Sequence, residues 1–385
     1  MPEKATAKEK IFFPNLDGLR FFCFFIVFLY HCNEAIFRRI SNANEKATVN
    51  FLFQNGNTGV NIFFVLSGFL ITFLLIKEKE INGTIVLKNF YIRRVLRIWP
   101  LYYLCVFFGF VIFSYAKYKA VLDPHLLSNI KYYAVFASNF DVIKIWPQVG
   151  AASLIVLWSV SVEEQFYVTW PILLKYAVTK AYPYIFCGLI IFTLIFRSFY
   201  LGNTDMDYAM RYFHTFSVIG DMALGGLMAY YCSYDSIVLR FIQKMPRWQI
   251  ALLYMVTLIV LFFKQTIFSF PFLMMIERLV LAVLFALIIA EQNYAENSFF
   301  KFSSLRKISQ LGVYTYGFYC LHFIAILTVL AVADKYNWLV NTLLATVVAC
   351  LAALVLTILM ALASYHFFEK YFLGLKNKFS FIVKK

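Results

Sequence analysis

The sequence predicts an all-α bundle of about ten membrane-spanning helices with both termini on the cytoplasmic side, and three observations carry that reading. The 385 residues are 62% hydrophobic, 20% aromatic and only 14% charged, with a mean hydropathy of +0.74, more apolar surface than a soluble domain can hide. Ten apolar runs approach bilayer length, at approximately 18–37, 58–76, 99–116, 157–176, 182–200, 213–232, 249–264, 269–290, 311–331 and 338–364. With the N-terminus placed inside, roughly two-thirds of the 35 Lys and Arg residues fall on the inner segments, the bias of cytoplasmic loops. The same bias accounts for the net charge of +15, since the basic residues form no cluster or stripe suited to nucleic acid.

The first run holds Arg20 and His31, a cation and an imidazole at membrane depth. Eleven residues of helix leave them about 20° apart in azimuth and about 16 Å apart along the axis, so they share a face. Such groups mark functional sites where they face a bundle interior or a wet cavity; the alternatives are an arginine that snorkels to the headgroups and a histidine that bonds a neighbouring helix. Lys4, Lys8 and Lys10 precede the run and no small-residue cleavage site follows, so it is expected to stay as the first span. The seven cysteines, Cys23, Cys32, Cys105, Cys187, Cys232, Cys320 and Cys350, lie at no metal-ligand or disulfide spacing and read as small core residues. Cys32 points about 100° away from His31 on a helix, which argues against a Cys-His nucleophile pair.

The second run carries Ser67-Gly68 in mid-membrane, either a close helix contact or a bend, or a polar group for a site. Before the third run, Arg93, Arg94 and Arg97 sit one turn apart if helical, a fork suited to phosphate, or else an ordinary inner cluster on anionic lipid. The fourth run opens with Trp158, Glu163, Glu164, Gln165 and Tyr167. Glu163 is expected to reach Arg20 or His31 across the bundle and fix the imidazole tautomer; acids in a solvated first turn are the alternative. Asp221 with Gly225 and Gly226, the neighbours Glu277 and Arg278, and Tyr316, Tyr319 and His322 complete the polar set. Adjacent residues do not face each other on a helix, so Glu277 and Arg278 need separate partners, and His322 reads as a second polar candidate or a satisfied core histidine. The loop at 117–156 is the longest, extracytoplasmic and aromatic-rich.

In order, Asn15-Leu16-Asp17-Gly18-Leu19-Arg20 followed by His31, the Gly59-Val60 to Ile71 run with Ser67-Gly68, Arg93-Arg94-x-x-Arg97 with Pro100, Trp158 to Tyr167 around Glu163, and Tyr316-Gly317-x-Tyr319-x-x-His322 resemble the signatures of the acyltransferase-3 family of integral membrane proteins. Glu369 resembles the last signature, although Tyr371 stands where the family often has proline. The arginine often found just before the aspartate of the sixth span is absent beside Asp221, which leaves that aspartate without its usual partner.

The resemblance implies one membrane acyltransferase domain over 1–385, with no appended esterase-like domain, that moves an acyl group, commonly acetyl, from cytoplasmic acyl-CoA to a hydroxyl of an extracytoplasmic glycan or glycolipid. It implies Arg20 and His31 as the essential pair and Arg93, Arg94 and Arg97 as the donor-binding region. Glu163 is the acid expected to orient the base, and Asp17, Ser67, Trp158, Tyr167, Asp221, Tyr316, Tyr319 and His322 are expected to support the site. Acyl-CoA enters as substrate; no resident cofactor or metal is expected. The bacterial cytoplasmic membrane is the expected location. The competing class is a carrier or flippase for lipid-linked sugars, since buried Arg, His, Asp and Glu also line transport paths.

Overall fold

Ten helices of 16 to 24 residues dominate the computed structural model, which describes residues 13–113, 128–147, 152–338 and 340–379. They are α1 Pro14–Ala35, α2 Gly59–Asn82, α3 Leu87–Phe107, α4 Leu157–Tyr176, α5 Tyr182–Ser198, α6 Thr215–Ser233, α7 Arg247–Phe262, α8 Pro271–Tyr294, α9 Thr315–Lys335 and α10 Leu343–Ser364. No strand occurs among the described residues. Seven helical segments are long and apolar enough to cross a membrane, or eight if Ile237–Gln243 and Arg247–Phe262, which meet at a 98° bend, make one span.

At the centre, α2 packs against α1, α4, α6 and α8. The contact with α6 is a reciprocal glycine seam: a Cβ at Gly68 would meet the Met222 carbonyl oxygen at 2.0 Å, and one at Gly225 would meet that of Val65 at 2.0 Å. Only glycine permits that backbone approach, and small residues supply the packing where the surrounding lipid is as apolar as the helix face. Trp170 Nε1 donates to Thr72 Oγ1 at 2.9 Å and ties α4 to the same helix. Asn15, at the start of α1, donates to the Gln292 carbonyl at 2.6 Å and accepts from Ser303 N at 3.0 Å. These bonds anchor Asp17 and Arg20 against the end of α8.

Two expectations change. The third helix begins at Leu87, well before residue 99, so the arginines belong to the membrane-length helix itself and Pro100 lies inside it. The long loop is partly helical: Ile130–Ala134 and Ser138–Ile145 fold back onto the bundle, the second against α4. The rest of that loop, 117–127 and 148–151, lies outside the described residues.

Candidate active site

A cavity of about 180 Å³ lies between α1, α2, α3, α4 and α9, lined by Arg20, Ser67, Arg94, Arg97, Glu163, Tyr167, Tyr316 and Tyr319 among others. Asp17, one turn before Arg20, neutralises it at 2.5 Å. Ser67 Oγ donates to Glu163 Oε1 at 2.7 Å and takes a hydrogen bond from Tyr167 at 2.8 Å, so α2 and α4 are joined through polar side chains at the cavity wall. The Arg94 guanidinium stacks 5.1 Å from the Tyr167 ring and 5.4 Å from Phe90, yet its buried Nε has no hydrogen-bond partner among the described residues. Tyr316 donates to the Ile98 carbonyl at 2.8 Å, and Tyr319 bonds Ser159 Oγ at 2.6 Å. Arg94 and Arg97 have no ion-pair partner among the described residues, whereas Arg93 turns out of this cavity to Glu78, 2.9 Å away, and to the Phe379 carbonyl at 2.8 Å.

A second cavity, of about 500 Å³, is lined by Tyr30, Glu34, Asn57, Asn61, Tyr208, Tyr212, Lys264, Glu277 and Arg278, with Asn50, Gln54, Arg197, Arg211 and Gln265. The two cavities are stacked along the same helices. On α1, Arg20 faces the first while Tyr30 and Glu34 face the second; on α2, Ser67 faces the first and Asn61 the second. Phe64 and Trp158 form part of the partition, with ring centroids 5.9 Å apart, and Trp158 also packs on Tyr212 at 5.3 Å.

His31 Nδ1 lies 2.9 Å from His322 Nε2, with the Tyr319 ring of the first cavity 5.8 Å from His322 and the Tyr30 ring of the second 5.2 Å from His31. The bonds assign the protons: His322 Nδ1 must donate to the Tyr319 carbonyl at 2.7 Å, because a carbonyl only accepts. In the neutral ring, His322 Nε2 is then an acceptor, His31 Nδ1 carries the hydrogen, and the lone pair of His31 is on Nε2. A histidine with one nitrogen tied and the other left basic is the arrangement a general base requires.

The geometry corrects several expectations. His31 is held by His322; Glu163 bonds Ser67 and reaches neither His31 nor Arg20 among the described residues. His322, 0% exposed, is bonded through both ring nitrogens, Nδ1 to the Tyr319 carbonyl and Nε2 to His31. Of the three arginines, the cavity gathers Arg94 and Arg97 with Arg20 and leaves Arg93 in a structural ion pair. Asp221 has an arginine partner after all, Arg278 from α8, while Glu277 faces Lys264 at 3.4 Å, the separate partners that their adjacency demands. Ser67 lines the cavity while its neighbour Gly68 makes the helix contact. The second cavity was not foreseen. Its signal was present in Asn57 and Asn61, two planar amides a turn apart at the start of an apolar helix, and in Glu34 one turn beyond His31.

Comparison with known proteins bears on this arrangement. A family profile described as an acyltransferase domain matches residues 13–362. The chain is 27% identical over 415 residues to the peptidoglycan O-acetyltransferase of Listeria monocytogenes, an alignment covering 99% of this chain and 60% of that protein. It is 30% identical over 236 residues to a Staphylococcus aureus protein provisionally named an O-acetyltransferase, covering 58% of this chain and 35% of that one. A Bacillus subtilis protein, provisionally named a peptidoglycan O-acetyltransferase, is 34% identical over 173 residues, 42% of this chain and 24% of its own. The chain thus spans under two-thirds of the length of these relatives. No solved structure matches it.

Proposed function

The chain belongs to the acyltransferase-3 family, and from that premise we propose that it is a membrane O-acyltransferase moving an acetyl group from acyl-CoA, on the cytoplasmic side, to a hydroxyl of a cell-envelope glycan or glycolipid on the other. The observation that carries the proposal is the His31–His322 pair, in ring contact with Tyr319 of the first cavity and with Tyr30 of the second. Arg94 and Arg97 offer an unneutralised guanidinium pair for the phosphates of coenzyme A, and Arg20 contacts the donor or the charge that develops on it. The thioester then lies towards His31. The acceptor hydroxyl enters from the second cavity, where amides and tyrosines suit a saccharide. His31 Nε2 removes its proton as the oxygen attacks the thioester carbonyl; the tetrahedral intermediate collapses with loss of the CoA thiolate, which takes the proton back from the imidazolium. The relatives named for peptidoglycan O-acetylation support a cell-envelope glycan as acceptor, and the basic bias of one set of loops supports the orientation, with ten spans and both ends inside the bacterial cytoplasmic membrane.

The test is turnover by purified protein with labelled acetyl-CoA and a glycan acceptor. Acceptor-dependent release of free CoA with label on the glycan is expected. Label that stays on CoA while the glycan crosses the membrane unmodified would identify a carrier instead.

A further inference from the structure

A third cavity, of about 330 Å³, lies beside the second and is almost wholly apolar. Phe22, Ile26 and Leu29 line it at i, i+4 and i+7 along one face of α1, with Leu52 from the short helix Ala43–Phe53 and Leu258 and Phe262 from α7 opposite. Phe22, Leu52 and Leu258 are 45%, 47% and 54% exposed, so this is a groove open at the bundle surface, where the bilayer would be. Asn55 lines both this groove and the polar cavity, and Leu29 and Phe262 of the groove stand one and two residues before Tyr30 and Lys264 of the polar cavity.

Asn55 marks the junction by an unmet bond. Its Nδ2 donates to the Leu261 carbonyl at 2.9 Å, while its Oδ1 is buried with no partner among the described residues, in a side chain only 7% exposed. A buried amide oxygen of this kind awaits a donor. Beyond it Lys264 is engaged by Asn57 and Glu277 and Arg278 by Asp221, which leaves Asn61, Tyr208 and Tyr212 to read an uncharged polar group.

We propose that groove and polar cavity together bind one amphiphile, a membrane lipid with a saccharide headgroup: the hydrocarbon chain lies in the groove, a hydroxyl or amide at its neck donates to Asn55 Oδ1, and the sugar reaches the second cavity, whose Tyr30 is in ring contact with His31. This rests on the acyl-transfer reading and narrows the acceptor from glycans in general to glycolipids. A polymer without a lipid end has no group for the groove. A chain entering from the bilayer leaves one apolar medium for another, so the gain is orientation and local concentration of the headgroup more than hydrophobic transfer.

The experiment uses the protein in nanodiscs with acetyl-CoA and two acceptors, one disaccharide carried on a hexadecyl chain and the same disaccharide as its methyl glycoside. Leu258→Trp and Leu52→Trp fill the groove from separate walls. The ratio of KM for the hexadecyl acceptor to KM for the methyl acceptor is expected to rise about tenfold in each variant, as the loss of part of the headgroup's local concentration would produce. A ratio equal to that of the unsubstituted protein in both variants overturns the groove while leaving acyl transfer standing. Failure of the unsubstituted protein to acetylate either acceptor overturns the acyl-transfer reading and this proposal with it.

Discussion

The four cations that line the second cavity are engaged by protein atoms: Arg197 donates to the carbonyls of Met274, Met275 and Arg211 and to Ser217, Arg211 to the carbonyls of Tyr200 and Gly202, Lys264 to Asn57, and Arg278 to Asp221. In the first cavity, Arg94 and Arg97 make no hydrogen bond or ion pair among the described residues, although an unmet buried Nε is common to Arg94 and to Arg278 of the second cavity. Desolvating a cation costs several kcal/mol unless its charge and donors are matched. Cations that are matched internally act as architecture, tying α5, α6 and α8 together; cations left unmatched at membrane depth act as a site, because the missing anion arrives with a ligand. On the proposed function, the polyanionic donor belongs to the first cavity and the acceptor hydroxyl to the second.

The sharpest way to break this division is at the boundary between the two. His31→Ala is expected to lower acyl transfer by about 10³-fold while leaving acyl-CoA affinity intact, measured by labelled turnover and equilibrium binding; turnover within a few-fold of the unsubstituted enzyme would remove His31 from the chemistry. His322→Ala should lower kcat by about 10- to 100-fold at unchanged KM. His322→Gln should recover part of that loss, since its amide oxygen can accept from His31 Nδ1. A merely structural role would show no such rescue. Arg94→Ala and Arg97→Ala should each weaken acyl-CoA binding by about tenfold without changing the acceptor KM. Arg93→Ala is the control: it should leave donor affinity in place and lower the melting temperature, because it abandons Glu78, a carboxylate only 1% exposed.

The fold class was legible because hydropathy at bilayer length is a local property, and nine of the ten apolar runs contain most of one long helix, the third holding only the second half of Leu87–Phe107. The boundary at Leu87 was not, because Arg93, Arg94 and Arg97 lower the local hydropathy that was used to place the third run, although their spacing is helical. The gathering of Arg20, Ser67, Arg94, Arg97 and Glu163 at one cavity follows their order along the family's signatures, but which side chain touches which depends on the azimuth of five helices. Hence the expectation that Glu163 reaches Arg20 or His31 gives way to Ser67 as the partner of Glu163 and His322, 291 residues away in sequence, as the partner of His31. Asp221 has no arginine beside it on its own helix, and its partner Arg278 comes from α8, 57 residues on, which only the packing reveals. The second cavity stayed hidden because its asparagines and tyrosines are individually unremarkable for helix ends, and only packing brings them to one wall.

The claim on which all of this depends is that donor and acceptor reach the histidine pair from opposite cavities. Protein reconstituted in one orientation into sealed vesicles, with labelled acetyl-CoA on the side of Arg94 and Arg97 and the glycan acceptor on the other, tests it directly. The account predicts acetylated acceptor in that arrangement and none when the two substrates are exchanged; transfer that requires both substrates on the same side would contradict it.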